Sequence, residues 1–228
     1  FSLSRGLGDV YKRQLLDGGI TTSSHNGDAS APSLTLTGAV ELQSNTTITT
    51  DSGGTDGIIS FTSSIDSVSS GTKTLTIDSG TAATTVSGNI GTGVALAGLT
   101  INSADADTGA VTLTGIGSGT ASSDAGVIGT ATVGSGGTTT LTLAGTTYNI
   151  DGNTEFEAVS GANTIVVSGA SPTFTLHDDT IAFKTGGVHL DDGTFTVNSQ
   201  GGAISIEGAV TGSSAEGISL DSGATGSA

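Results

Sequence analysis

Two short runs carry the side chains best able to do chemistry: His177-Asp178-Asp179 and His189-Leu190-Asp191-Asp192. Imidazole nitrogens and carboxylate oxygens together suit calcium or another divalent cation. Neither run has the spacing of an EF-hand loop or the repeated glycine-rich nonapeptide of a calcium-binding roll. The two histidines stand 12 positions apart, about half of the repeat described below, which sets them on different walls. The plainer reading is two solvated turns beside strands, and no metal ligand is assigned. Gly53-Gly54-Thr55-Asp56-Gly57 is similar to one element of a calcium roll. That motif works by repetition, and a single copy reads as a turn.

Nucleophilic catalysis lacks partners. Serine is abundant, but only His25, His177 and His189 could act as imidazole bases, and no Gly-x-Ser-x-Gly elbow surrounds a serine. Polysaccharide lyases and hydrolases need paired carboxylates or an Arg/Lys base gathered on one face. Lys73 falls in a turn before a strand, which leaves little for such a site. The chain reads as a non-enzyme with no catalytic or cofactor-binding residue and no cofactor.

The elements that would position any site follow from an unusual composition. In 228 residues, charged side chains make up 11% and aromatic ones 4%, with 38 glycines and 2 prolines. That is too little charge and ring mass for an ordinary globular enzyme. Val, Ile, Leu and Thr recur at regular intervals, which favours many short strands over disorder. No cysteine is present, so disulfides and thiolate sites are absent. Against 21 acids stand 5 bases, a formal net charge of -16, so the chain lacks the basic face that nucleic acid requires. No apolar run approaches the roughly 20 residues of a membrane span.

Ser4 to Gln14 read SRGLGDVYKRQ, which back-translates into a run resembling a transposase-type sequencing adapter read in frame. Residues 1–14 are therefore set aside as an unfolded artefact, with 15–33 as an irregular lead-in and 34–228 as one repeat array cut at both ends. Arg5, Lys12 and Arg13 go with the leader, leaving Lys73 and Lys184 as the basic residues.

Four segments align as a repeat: from Leu34, LTLTGAVELQSNTTITTDSG; from Ile59, ISFTSSIDSVSSGTKTLTIDSG; from Thr84, TTVSGNIGTGVALAGLTINSA; and from Ala203, AISIEGAVTGSSAEGISLDSG. The opening pairs are Leu36/Val40, Phe61/Ile65, Val86/Ile90 and Ile206/Val210. The closing strands begin at Ile48, Leu75, Leu99, Phe195 and Ile218 and end in Asp or Asn, usually followed by Ser. Leu75 to Leu99 and Leu141 to Ile165 each span 24 positions, and Leu99 to Phe195 is a multiple of that step. Apolar residues alternate with Thr or Ser, the mark of strands with one buried face. A unit this short cannot bury its own core, whereas stacked coils can. The expected fold is all-β, a parallel β-helix (β-solenoid) with coils of about 24 residues. About nine coils at about 4.8 Å each give a rod of roughly 43 Å. Leu36, Phe61, Val86 and Ile206 are expected to stack on one wall. Ile48, Leu75, Leu99, Phe195 and Ile218 are expected on another. Tandem immunoglobulin-like sandwiches, at about 100 residues each, fit a 24-residue step poorly. Residues 116–138 carry the weakest pattern and read as an irregular coil or loop.

The alternation in ISFTSSIDSVSSGTKTLTIDSG and GNIGTGVALAGLTINSADADTGAVTLTG resembles the repeat regions of filamentous-haemagglutinin-like and autotransporter-like bacterial adhesins. TLTLAGTTYNIDGNTEFEAVSGANTIVVSGA continues in the same style, and the resemblance covers roughly residues 30–228. It lies in pattern rather than in an invariant motif. The resemblance implies a right-handed parallel β-helix exported to the outer surface of a bacterium or beyond it. It also implies a stalk or adhesive face whose partners are neighbouring repeats and a host or environmental surface, glycan or matrix component. Insertion into a membrane is not expected.

Two other functions keep a footing. Thr-apolar-Thr triplets recur at Thr35/Thr37, Thr47/Thr49, Thr74/Thr76, Thr112/Thr114, Thr140/Thr142, Thr173/Thr175 and Thr194/Thr196. With the middle residue inside, both threonines face solvent, and a flat array of them could order water as ice does. Threonine is also a good strand former on any exposed face. In this alignment Gly98, Gly217 and Ser219 interrupt the closing-strand array, and Glu207 interrupts the opening one. A carbohydrate-active β-helix enzyme is the other alternative.

Overall fold

Strands of three to five residues with one apolar face cannot stand alone. This chain solves the problem by winding. A computed structural model describes residues 13–22, 33–51, 55–104, 108–159, 164–213 and 215–223. It is an all-β parallel solenoid of about 7 turns with ~25 residues per turn and three walls. The second wall stacks eight strands, from Ile20–Thr21 through Thr46–Thr49, Thr74–Asp78, Gly98–Ile101, Ala131–Val133, Thr154–Ala158 and Ile181–Thr185 to Ile204–Ile206. The third stacks another eight, from Leu34–Leu36 through Ile59–Phe61, Thr84–Val86, Val111–Leu113, Leu141–Leu143, Ile165–Val167 and Val188–Leu190 to Val210–Gly212. The first wall holds two shorter sheets, Gln14–Leu16 to Ile65–Ser67 and Thr147–Ile150 to Gly217–Asp221, joined by bridges at Ile90 and Ile116.

The core is a set of ladders. Leu75 pairs with Leu99 and Ile77 with Ile101, all four buried, while Thr76 and Thr100 face outward in the same register. Leu36, Phe61 and Val86 stack on the third wall, and Val40, Ile65 and Ile90 on the first. In the later coils the ladders turn aromatic. Tyr148 stacks on Phe174 with ring centroids 4.4 Å apart, and Phe156, Phe183 and Phe195 close the cluster in edge and stacked contacts. The Tyr148 hydroxyl donates to the Leu113 carbonyl and accepts from the Gly145 N–H, each at 3.0 Å, so this buried polar group is satisfied.

The structure corrects four details of the sequence reading. About nine coils become eight stacked strands on the second and third walls and nine levels on the first, because several coils exceed 24 residues. The longest runs from Ile101 to its partner Val133 and contains most of the irregular stretch expected at 116–138. That stretch includes a 3-10 turn at Ser122–Asp124, yet Ile116, Val127, Ala131 and Val133 still point into the core.

Ile48 stacks on Ile77, not on Leu75. Phe195 and Ile218 pair with each other on the first wall, not with Leu99 on the second. Ile206 sits on the second wall beside Phe183, and Val210 on the third beside Val188. The cause is a shared corner device. After the second wall, Asp78 accepts from Gly80 N–H at 3.1 Å and Ser79 donates to Ala82 O at 2.7 Å. After the first wall, Asn198 accepts from Gln200 N–H at 3.1 Å and Ser199 donates to Gly202 O at 2.5 Å. One motif serves two corners, so aligning on it merges two walls.

The expected lead-in is also ordered in part. Gln14–Leu16 pairs with Val40–Leu42, and Ile20–Thr21 with Ile48–Thr49, so residues 14–21 belong to the first coil. Finally, Thr175 does not face solvent; it is buried between Asn149 and Asn198.

Candidate functional site

The histidine-bearing runs end on different walls, as their spacing predicts. His177 follows the first-wall strand Thr173–Leu176, and His189 lies in the third-wall strand Val188–Leu190. His177 Nε2 lies 2.9 Å from Asn149 Oδ1, and Nδ1 lies 3.3 Å from Gln200 Oε1. Asn149 spends its amide N–H on the Ala121 carbonyl, so its oxygen accepts and His177 donates from Nε2. The imidazole therefore bonds to the coil before it and lies against Gln200 of the coil after it. Beside it, burial first and then Asp151 and Asp178 push the Asp179 carboxyl above the usual carboxylate range.

His189 meets Thr211 Oγ1 at 2.9 Å through Nδ1, and meets Ser213 Oγ and Asp191 Oδ1, both at 3.1 Å, through Nε2. Hydroxyl, imidazole and carboxylate are all present. A hydroxyl relay needs the carboxylate and the nucleophile on opposite ring nitrogens; Ser213 shares Nε2 with Asp191, whereas Thr211 stands on the opposite nitrogen. Among the described residues, no group of three or more His, Asp and Glu side chains is placed to hold a metal ion. His25, Gly53 and Gly54 lie outside the described residues. Asp56 is a corner staple: both the N–H and the hydroxyl of Thr81, one coil on, donate to its Oδ2 and hold its carboxyl below the usual range.

Sequence reasoning missed a charged ladder on the second wall. Glu157 pairs with Lys184 in register, and Glu207 follows Ile206, the partner of Phe183, on the next strand. Lys184 Nζ also reaches Glu155 at 2.5 Å. Glu155, which shares a strand with Glu157, adds to the burial that raises the Glu157 carboxyl. One ammonium thus offsets three carboxylates that stacking would otherwise crowd together. The unequal sequence separations of these residues hid the column from a search at 24.

The third wall carries the most regular exposed chemistry. Its outward positions form two columns, paired coil by coil as Thr35/Thr37, Ser60/Thr62, Thr85/Ser87 and Thr112/Thr114. Thr142/Ala144, Val166/Ser168, His189/Asp191 and Thr211/Ser213 continue them. The alignment that placed Glu207 in this array is corrected, because Glu207 belongs to the second wall. The triplets at Thr112 and Thr140 are also out of phase, since Thr112 pairs with Thr142. On the second wall Thr47, Thr76, Thr100 and Thr132 make a single column, flanked by Asp78 and Gly98.

An open groove crosses the first wall where its strands shorten to bridges, lined by Ser70, Thr92, Ser118, Ser123 and Asp124 among others. Asp124 is its one ionisable side chain. The chain matches no protein-family model, no curated protein and no solved structure.

Proposed function

We propose that the chain is a structural segment of a secreted or cell-surface bacterial adhesin or exoprotein, a rigid acidic rod used for attachment or matrix formation. The observation that carries this reading is the unbroken parallel stacking of the second and third walls through all eight levels. Each coil is held by backbone pairing to the one above and below, so length is gained without a new core. Seven turns at about 4.8 Å give a described length of about 34 Å, which further coils of the same kind would extend. The acidic excess keeps a repetitive β surface soluble. The Lys184 ladder adds side-chain pairing between neighbouring coils.

Beads coated with the chain, driven by flow over cell monolayers and glycan-coated slides, test the reading. Retention above that of beads carrying an unrelated acidic protein is expected on at least one surface. Equal detachment on every surface contradicts an adhesive role.

A further inference from the structure

We propose that the third wall between Thr35 and Thr114 is an ice-binding face. The four outward pairs from Thr35/Thr37 to Thr112/Thr114 lie on consecutive parallel strands in register. Strand geometry spaces them by about 4.8 Å between coils and about 6.6 Å within a strand. The result is a two-dimensional grid of hydroxyls, six of the eight bearing a methyl group as well.

Three observations separate this grid from a merely strand-favouring stripe of threonine. First, its hydroxyls are unspent. At the corners, by contrast, Ser and Thr side chains close turns, as Thr50 does on Gly57 O, Ser67 on Ser69 O and Thr154 on Gly152 O. In the grid, among the described residues, only Thr62 is engaged, accepting from Gly38 N–H at 3.4 Å. Second, this stretch of the wall is free of charge. The segments 33–38, 58–63, 83–88 and 110–115 contain no Asp, Glu, Lys or Arg in a chain that has 21 acids. Third, they contain no outward aromatic ring on which a sugar could stack. A neutral, periodic face with hydroxyls unengaged at all but Thr62 and with interleaved methyls suits a neutral periodic partner made of hydrogen-bonding units. Crystalline water is that partner: hydroxyls anchor lattice waters while methyls hold others without competing for hydrogen bonds. The grid ends where Ala144 and then Val166 replace hydroxyl residues, ahead of His189 and Asp191.

The inference rests on the fold and not on the adhesin reading, since a rod that fails every adhesion assay can still bind ice. The test is thermal hysteresis of the chain on a seeded ice crystal, with circular dichroism confirming the β fold. A freezing gap with faceted crystals is expected. Thr85→Tyr, at the centre of the grid, is expected to remove more than half of the gap, and Thr37→Tyr, at its rim, a smaller part. Thr100→Tyr on the second wall should leave it unchanged. Absence of hysteresis in the folded parent chain overturns the proposal. So does equal loss from Thr100→Tyr, or binding to crystalline polysaccharide without any freezing gap.

Discussion

Gly145 crosses directly over the Thr114 peptide, and a β-carbon placed on Gly145 would collide with the Thr114 carbonyl oxygen. The same corner, two residues beyond the third wall, puts Gly88 on Ser63 and Gly169 on Gly145. Close backbone stacking at this edge therefore selects glycine for its lack of a side chain. Gly145→Ala is expected to cost at least the 1–3 kcal/mol of an overpacked core, seen as a fall in melting temperature of several degrees. Gly98→Ala is the control, because its β-carbon would find its nearest neighbours at 3.5 Å. A melting temperature unchanged by Gly145→Ala would contradict the corner geometry.

The aromatic ladder predicts where stability is concentrated. Phe174 touches Tyr148, Phe156, Phe183 and Phe195, so Phe174→Ala is expected to cost about 3–5 kcal/mol. Tyr148→Phe keeps the ring but leaves the Gly145 N–H without its acceptor, while the Leu113 carbonyl retains the Ala144 N–H, and about 1–3 kcal/mol should be lost. Denaturant titration measures both, and equal losses would mean that the ring stack contributes little.

Much of this architecture is legible in the residues. Alternation of apolar residues with Thr or Ser gave the strands, and the recurrence of Leu75 at Leu99 and of Leu141 at Ile165 gave the stacking. What the residues concealed was which wall each strand joins. The Asp/Asn-Ser corner serves both the first and second walls, and coils of unequal length shift any fixed period out of phase. The Glu157–Lys184 pair and the third-wall grid were hidden for this reason. Both become visible only when register is known.

Lys184 stands between Glu157 and Glu207 in one column. Lys184→Gln leaves the carboxylates facing one another, and a loss of up to about 1 kcal/mol is expected for these partly exposed groups. Added salt should restore most of it, as should a second change, Glu157→Gln. A loss that salt does not reduce would assign Lys184 a packing role instead.

The solenoid should gain stability on mild acidification. Asp51, Glu157 and Asp179 are raised above their ordinary values, each by burial first and then by neighbouring carboxylates. The folded state thus binds protons more readily than the unfolded chain at these sites. Stability rises as pH falls through the raised values and levels off below roughly 4, the unfolded range. Asp56 runs the other way: Thr81 holds its carboxyl down, so its contribution is present above the unfolded value and lost as pH falls through the lowered one. Three raised groups against one lowered predict a melting temperature higher near pH 5 than at pH 7. A steady fall over that interval would contradict the assignment.

The register of the three walls is the claim on which everything else rests, and the absence of cysteine makes it directly measurable. Thr85 and Thr112 are register partners on the third wall, although their separation departs from a 24-residue step. Adjacent parallel strands bring such partners within disulfide range. The double variant T85C/T112C should therefore oxidise readily to an intramolecular disulfide, while T85C/T100C, split between two walls, should remain reduced. Cross-linking of both pairs alike, or of T85C/T100C alone in the folded chain, would contradict the three-walled solenoid described above.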